Sequence, residues 1–183
     1  MKYLSKFLLS FLFLIAVASC TNTENEKADL RLKIDSLEIK VLNGTIEMLD
    51  NRIPLQLGKM MKDYARLYPQ DSVTPVYLFK AAQIEVNTGQ SIQAIATLDT
   101  LILLQPKHKI VPSVLQFKAF IYDDRLGEYD NAAKVLDELI NNYPDAGVDI
   151  IENAKAYKAS LGKTPEQIIL EMELAEKSDS IKK

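Results

Sequence analysis

The chain has 183 residues, is 48% hydrophobic and 26% charged, and carries a formal net charge of −3 with one cysteine and one histidine. A mildly acidic surface of mixed charge gives no electrostatic reason for nucleic-acid binding or for adhesion to anionic lipid headgroups, and one cysteine cannot form an internal disulfide. Six glycines form no phosphate-binding loop, there is no G-x-S-x-G elbow, and His108 stands alone in the loop Lys107-His108-Lys109; no metal site, cofactor or enzymatic activity is expected.

Lys2 and Lys6 lead into the apolar run Phe7 to Ala18, FLLSFLFLIAVA. It is shorter than the roughly 20 residues a membrane-spanning helix needs, so residues 1–19 read as an export signal. The tetrapeptide Val17-Ala18-Ser19-Cys20 resembles the lipobox of bacterial lipoproteins, with Val in place of the commoner Leu. That resemblance implies cleavage before Cys20 and covalent diacylglyceryl and N-acyl lipid on it. An ordinary signal peptide cut near Ser19 or Cys20, or an uncleaved anchor, is the open alternative. Two or three acyl chains, at about 0.8 kcal/mol per buried methylene, would hold the protein on a membrane. Without residues 1–19, 20 basic side chains face 25 acidic ones, a net charge of about −5. Thr21 stands where enteric lipoproteins kept at the inner membrane carry aspartate, so the expected place is the cell envelope, at the outer membrane and facing the periplasm. Glu24 and Glu26 faintly resemble surface-export signals of Bacteroidota lipoproteins, which keeps the cell surface open.

Residues 20–27 form the acylated cysteine and a polar tether, TNTENEK, without an apolar face. Residues 28–53 read as an amphipathic helical segment: Leu30, Ile34, Leu37 and Val41 make one seam, Asn43-Gly44 breaks it, and Ile46, Leu49 and Ile53 continue it. Fewer than two heptads precede the break, so the seam caps a following domain in preference to pairing copies of the chain, and self-association through residues 28–42 is the alternative. Pro54 opens a helix that stops at Tyr68-Pro69. Thr74-Pro75 caps and opens Pro75 to Asn87, and Gly89 turns the chain into Gln90 to Leu104 before Pro106. Pro112 opens a helix to about Leu126, Gly127 turns, and Asp130 to Asn142 ends at Tyr143-Pro144. Ala146 to Leu161 follows. Thr164-Pro165-Glu166-Gln167 has the form of a capping box before a last helix to about Lys177.

Gly89, Ala94 and Pro106 recur as Gly127, Ala132 and Pro144 at one 38-residue shift, the mark of a repeated helical hairpin, and Pro69 precedes Pro106 by 37. Leu78, Ala81, Ala82, Gly89, Ala94, Ile95, Leu98 and Pro106, then Ala119, Gly127, Tyr129, Ala132, Leu136 and Pro144, resemble the tetratricopeptide repeat. Phe120, where that family favours a small residue, and the extra residues Lys107 to Pro112 depart from it. The resemblance implies an all-α fold, a short right-handed solenoid of antiparallel helix hairpins over residues 54–183 with the N-terminal amphipathic helix before it. The YP-ended helices, TPVYLFKAAQI and LGKTPEQII resemble Bacteroidota-type tetratricopeptide lipoproteins and, more distantly, the tetratricopeptide lipoprotein of the outer-membrane barrel-assembly machinery.

In that family the first helix of each hairpin lines the binding groove, which implies Val76, Phe79, Gln83, Val86 and Asn87, then Val114, Phe117, Ile121, Asp124 and Arg125. The mixed, rather apolar set argues against a clamp for a terminal carboxylate. Phe79 and Phe117, one 38-residue step apart, are candidate anchor pockets or core. Asp123 and Asp124 stand at a helix C-terminus, where the dipole disfavours them. The expected function is a membrane-anchored adaptor for a protein partner in envelope assembly or cell-wall coordination. A self-associating structural spacer is the alternative and a cell-wall enzyme with paired carboxylates a minor one.

Overall fold

The computed structural model describes residues 24–41, 51–164, 166–171 and 173–174. The export signal, Cys20, the Asn43-Gly44 break and the end of the last expected helix lie outside the described residues. Among these residues there is no strand. Helix α1 covers 24–41, α2 Arg52–Leu67, α3 Thr74–Asn87, α4 Ser91–Leu104 and α5 Val111–Phe120. A π-helical segment, Ile121–Arg125, continues α5; α6 is Tyr129–Asn142, a 3-10 turn spans Pro144–Ala146, α7 is Val148–Ser160, and helix resumes at 166. The contacts divide the chain into two units, Met1–Ile84 and Glu85–Lys183.

In the first unit the predicted seam is spent on packing. Ile34 of α1 is fully buried with Leu57, Met61 and Tyr64 of α2 and Tyr77 and Ala81 of α3, while Leu30, Leu37 and Val41 pack around them. Among the described residues the seam thus packs against α2 and α3 of the same unit. Residues 24–27, the first described, are already helical where a tether was expected. The local reason is Lys27, whose ammonium reaches Asp71 at 2.7 Å and lies 5.7 Å from the centre of the Tyr68 ring. Asp71 in turn accepts the Val73 N–H at 2.9 Å, and Thr74, expected as a cap, instead opens α3 and donates its buried hydroxyl to the Tyr68 carbonyl at 2.6 Å.

In the second unit α4 packs on α5, α5 on α6 and α6 on α7. Ala94, Ala119, Ala132 and Ala154 are buried to within 1% of full enclosure among Leu98, Leu115, Leu136 and Leu139. Small buried side chains such as these allow helix axes to come to the near end of the usual range of about 8–10 Å. The expected capping box closes as drawn from sequence: Gln167 Oε1 accepts the Thr164 N–H at 2.8 Å, and the Gln167 N–H donates to Thr164 Oγ1 at 3.3 Å.

The two glycine turns differ by one residue of backbone. After α3, the N–H of Gly89 (φ +80°) donates to Val86 and that of Gln90 to Glu85, five residues back at 2.7 Å. This is the usual closure of a helix by a left-handed glycine. After the π segment, the N–H of Gly127 (φ +66°) reaches Asp123 and that of Glu128 reaches Tyr122, six residues back at 2.7 Å. Each bond spans one residue more than its counterpart. The wider π turn accommodates one residue more than the turn after α3.

The repeat consequently has two steps. Before the π segment equivalent positions lie 37 apart: Pro75 and Pro112 open the helices, Tyr77 and Val114, Leu78 and Leu115, and Ala82 and Ala119 are buried pairs. After it they lie 38 apart, as Gly89 and Gly127 or Ala94 and Ala132 do. The departure expected at Phe120 dissolves, because the small residue at that place is Ala119, which is fully buried.

Candidate functional site

The π segment decides which side chains α5 shows to solvent. A 38-residue step carried Val76, Phe79 and Gln83 onto Val114, Phe117 and Ile121, but the step valid there is 37 and leads to Ser113, Gln116 and Phe120. Val114 and Ile121 are fully buried and belong to the core, which removes them from any binding surface. Ser113 is exposed, and Gln116, Phe117 and Phe120 are half-buried. Phe120 is thus the residue that sequence spacing missed; the 37-residue spacing of the prolines was the signal for it.

On the outer side of α5 the rings of Phe117 and Phe120, three residues apart, stack with centroids 6.0 Å apart and planes 16° from parallel. The Arg125 guanidinium lies 5.7 Å from the centre of the Phe120 ring, and its Nε sits 3.2 Å from Asp124. Cation and ring attract through the ring quadrupole, and Asp124 fixes the guanidinium from its other side. Phe117 and Phe79 are therefore not equivalent anchors.

The remaining candidates lie on α3. Val76 and Phe79 are half-buried, and Gln83 and Asn87 are exposed, whereas Val86 is 6% exposed and belongs to the core. Val76, Phe79 and Gln83 fall in the first unit, and Asn87 falls with the α5 residues in the second.

Two carboxylates are held by hydroxyls within the second unit. Buried Glu85 accepts from Thr97 at 2.7 Å, and Asp123 accepts from Tyr157 at 2.8 Å. Burial pushes the Tyr157 phenol up, and the bond to Asp123 pushes it further. In the first unit, burial and then the nearby charge of Asp71 push Tyr64 up to about 12. Burial works to raise Asp71, yet the Lys27 hydrogen bond, with the Val73 N–H, outweighs it and holds the carboxyl below the usual range.

His108 occupies the expected loop and accepts the Ile110 N–H on Nδ1 at 3.4 Å. Among the described residues no group of three or more His, Cys, Asp or Glu side chains is placed to share a metal ion, and no helix is long and apolar enough to cross a membrane.

Residues 118–146 match the family model of the tetratricopeptide repeat. The matched stretch begins at Lys118 on α5, crosses the π segment and α6, and ends with the 3-10 turn. Searches of curated proteins and of solved structures found no match.

Proposed function

We propose that this chain is an envelope lipoprotein that holds a protein partner on its helical repeats while lipid on Cys20 keeps it at the outer membrane, facing the periplasm. A tetratricopeptide-like segment suggests protein–protein interaction, and the observation that carries the binding reading is the Phe117–Phe120 stack capped by Arg125. Two stacked aromatic rings that stay partly exposed offer an apolar area with a defined shape, the kind of feature that anchors an interface. An apolar or aromatic side chain on an extended segment or helix of a partner would complete it. The anchor rests on Val17-Ala18-Ser19-Cys20 behind its apolar run. The protein acts in this reading as a non-enzymatic adaptor in envelope assembly or cell-wall coordination.

Cross-linking in intact envelopes, followed by capture of the chain, tests this directly. Wild type is expected to retain a defined partner that Phe120→Ala and Arg125→Ala lose while keeping their melting temperatures. Undiminished capture by both variants would overturn the binding face. The mass of the Cys20 peptide tests acylation separately, and protease treatment of whole cells tests the side of the membrane it faces.

A further inference from the structure

Helix α1 keeps charge off one face. At 100° per residue, Leu30, Ile34, Leu37 and Val41 form the buried side, and Ala28, Leu32, Ser36 and Ile39 form the opposite crest. Leu32 is 68% and Ile39 57% exposed, one heptad apart on a crest without charge. The acidic flank is turned to the hairpin: the Tyr77 hydroxyl donates to Asp35 at 3.3 Å and the Lys80 ammonium to Glu38 at 2.5 Å. On the other flank, which Asp29 and Glu26 share, Lys40 and Lys33 stand next to the crest. They line a groove of about 400 Å³ with Leu32, Ser36, Leu37, Gln56 and Met60, and no carboxylate lines it. Lys33 also meets Asp29 at 2.6 Å, but both side chains are 63% exposed and water screens such a pair.

We infer that the outer face of α1 lies on the phospholipid leaflet, with Leu32 and Ile39 entering the acyl boundary and Lys33 and Lys40 meeting lipid phosphates. An uncharged apolar crest with lysines beside it on one flank is a feature of helices that rest in the interface plane. Although the whole chain is acidic, what the leaflet meets is this local face. Position supports the occupant, and this support rests on the anchored reading above: Cys20 lies four residues from the first described residue of α1, at most about 14 Å of extended chain. A lipid on Cys20 therefore delivers the start of α1 to the headgroups. Contact along α1 would hold the first unit against the leaflet rather than leave it on a loose leash.

The test uses the mature chain from residue 20 with Cys20→Ser, which cannot be acylated, and phosphatidylethanolamine vesicles containing one quarter phosphatidylglycerol. Co-sedimentation at low salt is expected, with weaker partition onto phosphatidylcholine vesicles. Lys33→Gln with Lys40→Gln should weaken it by about fivefold per lysine. Leu32→Ser with Ile39→Ser should abolish it at unchanged helicity, since neither side chain is in the core. Absence of partition, or full partition by either double variant, would overturn the inference. So would a dimer seen without vesicles that Leu32→Ser with Ile39→Ser converts to monomer, because the crest would then meet a second copy. No acyl chain is present, so a negative result leaves the lipid anchor standing and the Cys20 peptide mass decides that separately.

Discussion

Tyr157 on α7 donates its hydroxyl to Asp123 Oδ2 at 2.8 Å and so ties the π segment to the helix that follows α6. The bond lies within the second unit and joins residues 34 apart. It also answers the question raised by two acidic residues at a helix C-terminus: Asp123 is held by a phenol and Asp124 by Arg125. Replacing Tyr157 by Phe should leave a part-buried carboxylate short of its donor and cost about 1 kcal/mol. For a chain of this size that lowers the melting temperature by about 2–4 °C. Calorimetry showing an unchanged transition would mean that the bond contributes nothing to stability.

The extra residue in the π turn makes a second expectation. Deleting Asp124 should let the π turn relax to an α-turn, with the glycine closure returning to the five-residue span seen at Gln90. Helicity and cooperative melting should survive. Deleting Glu138, in the regular helix α6, turns every later buried position by about 100° and should abolish cooperative melting. Equal damage from the two deletions would contradict the one-residue slack assigned to Ile121–Arg125.

Acid should loosen α1 before the rest of the first unit. Asp71 is held below its ordinary value, so its pairing with Lys27 contributes fully above about pH 4 and is lost as pH falls through the lowered value. The Lys27 ammonium, raised chiefly by its bond to Asp71, loses the pairing at the other extreme, as pH rises through its elevated value. Protection of the amides over residues 24–30, after correction for the intrinsic pH dependence of exchange, should therefore fall in wild type as pH drops from about 4 toward about 2. Asp71→Asn should show the lower protection already at pH 5 and little further change. A wild-type profile that is flat over this window would dismiss the pairing as a support of the helix at 24–27.

Gly127 and Gly162 both have positive φ but differ in their surroundings. A Cβ on Gly127 would meet nothing within 4 Å, whereas one on Gly162 would come within 3.3 Å of the Tyr129 ring. Alanine at Gly127 should cost about 1 kcal/mol from backbone strain alone. Alanine at Gly162 should cost more, because the ring must also give way. Melting temperatures in the reverse order would refute this reading of the two turns.

Helix starts and stops were legible in the residues because each has a local cause. Pro54, Pro75 and Pro112 sit in first turns, Gly89 and Gly127 supply left-handed ends, and Thr164 and Gln167 close a reciprocal pair of hydrogen bonds across four residues. Apolar side chains at helical spacing likewise marked Ile34, Leu57 and Met61, and the resemblance to the tetratricopeptide repeat singled out Leu98 and Leu136, all of them buried. What failed was the register of the surface. A 38-residue step drawn from glycine and alanine put Val114 and Ile121 on the groove, although both are enclosed, and passed over Phe120.

The amino-acid order by itself determined the helical class, the turn positions and which stripe of each helix is apolar, since these depend on contacts within a few residues along the chain. Tertiary packing decided how the seam of α1 is used, where the extra residue is stored and which aromatic rings stay in water. Those outcomes compare alternatives of similar local cost. An apolar stripe can cover α2 and α3 or another molecule, and an extra residue can widen a turn or lengthen a loop. Only the shape of the neighbouring helices, here the packing that encloses Ala119 and Ala132, selects one of them.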